Sequence, residues 1–147
     1  MQNFDIRKLL AMLQHPGRLV QRQKNGAAIP PGFEKDIHRA RQLEAQSQRD
    51  PRAIVLLIQV YKQILERLQP DKNPVFYNAI QNNLGIAYRN LPDKDRVANL
   101  KQAVACYKEA LRVWTPEAGD VAYAQTQNNL SNAYGDRPDE DRPANLQ

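Results

Sequence analysis

The stretch Gln81-Asn82-Asn83-Leu84-Gly85-Ile86-Ala87-Tyr88 returns as Gln127-Asn128-Asn129-Leu130-Ser131-Asn132-Ala133-Tyr134, 46 residues further on. The correspondence extends beyond that stretch. Residues 77–101 laid over 123–147 without a gap agree at 14 of 25 positions, among them Pro92/Pro138, Asp95/Asp141 and Arg96/Arg142. Self-similarity at such a period is the signature of stacked supersecondary units, none of which can bury its apolar face alone. The same offset works backwards, placing Tyr61-Lys62 on Tyr107-Lys108, Leu65 on Leu111 and Pro70 on Pro116. Residues 51–76 therefore read as a half repeat, 77–122 as a full repeat and 123–147 as an incomplete one.

The repeat is built of helices. Asp50-Pro51 and Asn73-Pro74 each set a capping side chain before a proline at the first helical position, an arrangement both residues favour. The first start signal predicts a helix to about Leu68, and the second a helix ending near Leu91-Pro92. Asp93 or Asp95 starts a helix that continues to Trp114, and residues 121–134 form the second copy of the motif helix, ended by Pro138. Leu84, Ala87 and Tyr88 make one apolar stripe; Leu100, Ala103, Val104, Tyr107, Ala110, Leu111 and Trp114 make the facing one. Gly85, Ala103 and Ala110 are small enough to let two antiparallel helices approach closely, with tyrosines filling the gaps beside them.

Residues 1–50 do not match the repeat. A short helix is predicted over 5–13, broken by His15-Pro16-Gly17, with a further turn over 18–24 and a Pro/Gly linker over 25–32. A longer helix over 33–48 carries Phe33, Ile37, Ala40 and Leu43 at helical spacing. Together they read as an N-terminal helical cap over the first apolar face of the repeats. The fold class is thus all-α, an α-solenoid of antiparallel helix pairs.

At 147 residues, 41% hydrophobic and 25% charged, the composition is that of one soluble domain. No stretch approaches the ~20 apolar residues of a membrane span. The N-terminus has the wrong order of charge and apolar residues for a secretory signal, so the expected location is the cytoplasm. One cysteine, Cys106, excludes an intrachain disulfide and suits a reducing compartment. The net charge of +5 sits mostly in residues 1–50, with nine Lys/Arg against five Asp/Glu, whereas residues 51–147 hold twelve against eleven. A basic N-terminal third is open to an accessory nucleic-acid-binding role. The competing reading is a solvated helix face, which the lack of aromatic–basic interleaving favours.

Leu84-Gly85-x2-Tyr88 followed by Ala103-x3-Tyr107-x2-Ala110 resembles the tetratricopeptide repeat. The period here is 12 residues longer than the 34 of that repeat. The extra length lies in the turn over 91–97 and around 117–120. The Asn-Asn-Leu variety with long turns is similar to kinesin light chain repeats. It is more similar still to the Asn-Asn-Leu-Gly-x-Ala-Tyr arrays of large bacterial proteins that often carry a caspase-like protease or an NTPase module. Ser131 in place of glycine, and Leu57 and Ile64 at the two small positions, depart from the pattern and imply looser packing at both ends. The resemblance implies a non-enzymatic protein-interaction or scaffolding module that binds a peptide or partner protein on the concave face of its first helices. The implied binding residues are Asn82, Ile86, Arg89 and Asn90 in one unit and Asn128, Asn132 and Asp136 in the next. Amides both donate and accept, so Asn82 and Asn128 are expected to meet a peptide backbone, with Asn83 and Asn129 fixing the stacking instead.

Other chemistry finds little in the chain. Asp93-Lys94-Asp95-Arg96 and Asp139-Glu140-Asp141-Arg142 hold too few carboxylates, and no EF-hand glycine, for a calcium or magnesium site. Asp95 and Asp141 read as helix caps, and Arg96 and Arg142 as ties from the long turn to a neighbouring unit. Cys106 lies inside an apolar stripe, and the only bases, His15 and His38, fall in the unmatched region. No catalytic residue, metal or cofactor is expected. The incomplete last unit supplies only the first residues of the helix that would cover Leu130, Ala133 and Tyr134. A longer array, or self-association through this unit, is the expectation.

Overall fold

The computed structural model describes residues 28–92, 94–114 and 119–137. The helices expected over 5–13 and 18–24, and the features at 115–118 and 138–147, lie outside them. The described residues form five helices and no strand: α1 (Glu34–Ser47), α2 (Ala53–Arg67), α3 (Pro74–Asn90), α4 (Arg96–Arg112) and α5 (Asp120–Gly135). Each packs on the next, and α3 also touches α5. The α3–α4 interface is the most extensive.

The helix starts follow local chemistry with one shift. Asp95 caps α4, its carboxylate accepting the Ala98 N–H at 3.0 Å. Pro74 takes the first position of α3, where its missing N–H costs nothing, but the Asn73 side chain makes no cap bond. At Asp50-Pro51 the expected start moves. Pro51 and Arg52 form a turn, and α2 begins at Ala53. The Asp50 carboxylate accepts from the Arg52 N–H at 3.1 Å and from its guanidinium at 2.9 Å.

The α3–α4 pair runs antiparallel, since Asn78 near the start of α3 donates to the Ala110 carbonyl near the end of α4, while Arg96 at the start of α4 reaches the Arg89 carbonyl. The two helices approach closely at Gly85. A Cβ there would lie 2.5 Å from the Tyr107 ring, so only glycine admits the ring. Leu84, Ala87, Leu100, Ala103, Val104, Tyr107 and Ala110 are all buried, as the stripes require; Tyr88, Leu111 and Trp114 are half-buried.

The core falls into two clusters. One joins α1, α2 and α3 through Ile37, Leu43, Leu57, Tyr61, Ile64 and Ile80. The other joins α4 to α5 through Ala103, Val104, Tyr107 and Ala133, with Ile86, Leu130 and Tyr134 packed beside them. At the first end, the bulky Leu57 and Ile64 are fully absorbed. Helix α1, read from sequence as part of a cap, packs on α2 across a five-residue connection, as α3 packs on α4. Its start is tied to the end of α2 by Arg67, which donates to Asp36 at 2.6 Å and lies over the Phe33 ring.

The Gly85–Tyr107 contact generates a prediction. Gly85→Ala overpacks a rigid site at a cost of about 1–3 kcal/mol, only partly offset by the ~1 kcal/mol helix preference of alanine. Tyr107→Ala, which empties the same site, is expected to lose about 3–5 kcal/mol. Urea midpoints of both variants check this; a Gly85→Ala chain more stable than the parent contradicts the close approach.

Candidate functional site

The residues that the resemblance marks for binding lie on α3 and α5, and the structure divides them into two groups. Asn82 is not solvent-facing. It is 1% exposed, and its Oδ1 accepts a hydrogen bond from Asn129 Nδ2 at 3.1 Å. Seven residues further along both helices, Arg89 Nε donates to Asp136 Oδ2 at 2.6 Å. Two bonds with the same 47-residue offset mean that α3 and α5 run parallel and in register. Between them, Ile86 is half-buried against the cluster that contains Ala133. Asn82, Ile86, Arg89 and Asp136 are therefore brought together in a seam between the two motif helices.

The one-residue difference between the contact offset and the 46-residue repeat has chemical content. The first asparagine of one pair bonds to the second asparagine of the next pair. An amide can be acceptor on one side and donor on the other, so a doubled Asn in every unit is self-complementary. That places Asn129 where the sequence expects it, in stacking, and moves Asn82 into the same role. The physical reason is burial: the second motif helix covers the α3 position that a sequence-based reading leaves facing solvent.

Asn128, by contrast, is exposed, as is Asn90 at the end of α3, while Asn132 is half-buried. Asn83 is buried, and its amide nitrogen has no hydrogen-bond partner among the described residues. Arg96 completes the end of the seam: it reaches the Arg89 carbonyl and lies 3.5 Å from Asp136. This is the tie from the long turn to the neighbouring unit. Its participation was signalled in the sequence only by the repeated Asp-Arg.

A second polar chain runs along the other side of α3. Gln81 Nε2 donates to Tyr77 Oη at 3.1 Å, and Tyr77 Oη donates to Glu109 Oε1 on α4 at 2.9 Å. The Arg112 guanidinium beside it, with help from Tyr77, holds the Glu109 carboxyl below its usual range. The α5 counterparts repeat the first link, Gln127 Nε2 donating to Tyr123 Oη at 3.0 Å. The sequence reading passed over this pair; the Tyr-x3-Gln spacing shared by both units is the signal that could have found it.

Cys106 is buried, and burial pushes its thiol up to about 12. So little thiolate forms near neutrality that the nucleophile chemistry has no reagent. His38 lies on the exposed face of α1 beside Gln42. Among the described residues no three His, Cys, Asp or Glu side chains gather where they could hold a metal ion. Nor is any helix among them long and apolar enough to cross a membrane. No protein-family model matches the chain, and neither does any curated protein or solved structure.

Two measurements follow from these placements. Asn82→Ala strands the buried Asn129 donor and is expected to destabilise by about 1–3 kcal/mol, whereas Asn128→Ala, being exposed, stays within about 0.5 kcal/mol. Equal urea midpoints for the two variants would remove the seam bond from the fold. Separately, Cys106 in the native chain at pH 8 is expected to alkylate far more slowly than in urea. Equal rates in the two conditions would contradict its burial.

Proposed function

We propose that the chain is a tetratricopeptide-like α-solenoid and serves as a non-enzymatic protein-interaction module in a larger regulatory assembly. The observation that carries the reading is the parallel seam between α3 and α5, in which contacts recur at nearly the repeat period. Repetition of one supersecondary unit with nearest-neighbour contacts is what makes a solenoid, and solenoids present extended surfaces to partners. The antiparallel α3–α4 pair, closed on a glycine, supports the same reading.

The partner is a peptide or protein segment held beside the seam by Asn90, Asn128 and Asn132, with Ile86 and the Arg89–Asp136 pair at its floor. Amides that both donate and accept suit an extended backbone of any sequence. Asn82 contributes indirectly, by fixing the spacing between the two motif helices. The buried thiol of Cys106 argues against covalent chemistry at that residue.

The test is partner capture by the parent chain and by Asn90→Ala combined with Asn128→Ala. Both side chains are exposed, so the melting temperature should hold while partner recovery falls. Unchanged recovery from a folded variant removes the amide row from the site. Nucleic-acid binding that weakens steeply with salt, as counterion release requires, would favour the basic N-terminal third instead.

A further inference from the structure

Helix α1 carries on its outer side the row Lys35, Arg39, Gln42 and Gln46, at i, i+4, i+7 and i+11, and all four are exposed. Such a row runs along one side of a helix for about 16 Å. The acidic residues of α1 are turned elsewhere. Glu34 accepts the Gly32 N–H, Asp36 takes Arg67, and Glu44 is half-buried on the opposite side of the helix. Among the described residues no carboxylate pairs with Lys35 or Arg39. The fold gains nothing from these two cations. Lys35 stands in the first turn, where the helix dipole disfavours positive charge, and like charges four residues apart repel. Nor is this a face that repetition buries. Covered faces are built on side chains such as Leu84, Ala87 and Tyr107, whereas this row is polar throughout. Residues 1–27 hold five Lys/Arg against one Asp, so their charge repels the row and does not cover it.

We propose that the outer face of α1 is a second docking surface, which takes an acidic helix of a partner protein. Carboxylates one turn apart on that helix meet Lys35 and Arg39, and the Gln42 and Gln46 amides hydrogen-bond further along it. Charge complementarity selects the occupant, since the row offers cations and amides with no anion among them. It also favours a helix over a nucleic acid. Nucleic-acid binding rests on many phosphate contacts at once or on aromatic rings that stack bases, and this row has two cations and no aromatic ring. A helix presents charges at the same one-turn spacing as the row itself. The surface lies on α1, away from the amide row on α3 and α5, so the inference goes beyond the preceding reading and does not rest on it.

The probe is a fluorescein-labelled, alanine-rich helical peptide with glutamates at i, i+4, i+7 and i+11. A second peptide of the same composition has its glutamates spread around the helix. Anisotropy titration against the full chain at low salt is expected to show saturable 1:1 binding of the first peptide, weakening as salt screens exposed charge. Lys35→Gln combined with Arg39→Gln should weaken it about three- to tenfold, as the loss of two exposed ion pairs requires. The melting temperature of that variant should hold or rise, because a repelling pair is gone. Lys62→Gln combined with Lys72→Gln removes the same charge from other exposed positions and should leave binding unchanged. Lys35→Glu combined with Arg39→Glu should transfer binding to the matching lysine peptide. The proposal is overturned by no saturable binding, by equal binding of the two glutamate peptides, or by an equal loss in the Lys62 and Lys72 variant, which would mean net charge alone. A short DNA or RNA duplex that binds more tightly than the peptide, and loses its affinity with Lys35 and Arg39, overturns it in favour of nucleic acid. Asn90→Ala with Asn128→Ala leaves α1 untouched, so the two readings can fail separately.

Discussion

The Tyr107 ring resting on the bare backbone of Gly85 is the contact on which the described structure depends. It brings α3 and α4 close enough for Asn78 to reach the Ala110 carbonyl across the interface. The same ring belongs to the cluster with Ala133, so it also presents α4 to α5. One side chain thus sets the geometry within a pair and contributes to the placement of the next motif helix. Its hydroxyl is buried, and burial raises its pKa, so the ring remains a neutral filler at any ordinary pH.

Between motif helices the decisive contact is smaller but more specific. The Asn82–Asn129 bond is buried, and a buried polar group that loses its partner costs about 1–3 kcal/mol. The Arg89–Asp136 pair is partly exposed, about a third of each side chain remaining accessible, and pairs of that kind contribute roughly 0–1 kcal/mol. The amide bond therefore fixes the register, because a slip along α3 would strand both buried amides. The ion pair and Arg96 orient the end of the seam. A binding surface made of residues from both helices inherits its spacing from this bond.

Tyr-x3-Gln forms the same hydrogen bond in both helices; among the described residues Tyr77 goes on to meet a carboxylate on α4, whereas the Tyr123 ring packs edge-on against Trp114 at the end of α4. Ser131 stands in α5 where Gly85 stands in α3, so α5 does not offer there the bare backbone on which the Tyr107 ring rests.

Much of the fold was legible in the sequence. The repeated motif, Asp95 as a cap, Pro74 at a helix start and the two apolar stripes required only local preference and helical spacing, which depend on neighbours in the chain. The small residue at Gly85 announced a close approach. Three things were not legible. Asn82 and Asn83 are adjacent residues of one type, and spacing alone does not tell which is buried by a neighbouring helix; both are, because α3 has helices on more than one side. Helix α1 does not match the repeat, so nothing in the sequence announced that it joins α2 across five residues, as α3 joins α4. Asp50 does cap the start of α2 by accepting the Arg52 N–H, but the α-helix begins at Ala53 because the first turn closes through bonds three residues apart, Ala53 to Asp50 and Ile54 to Pro51. The sequence alone determined an all-helical chain with a 46-residue unit. The tertiary structure alone decided which asparagine faces a helix and which faces solvent, because exposure is set by what packs alongside and not by the residue itself.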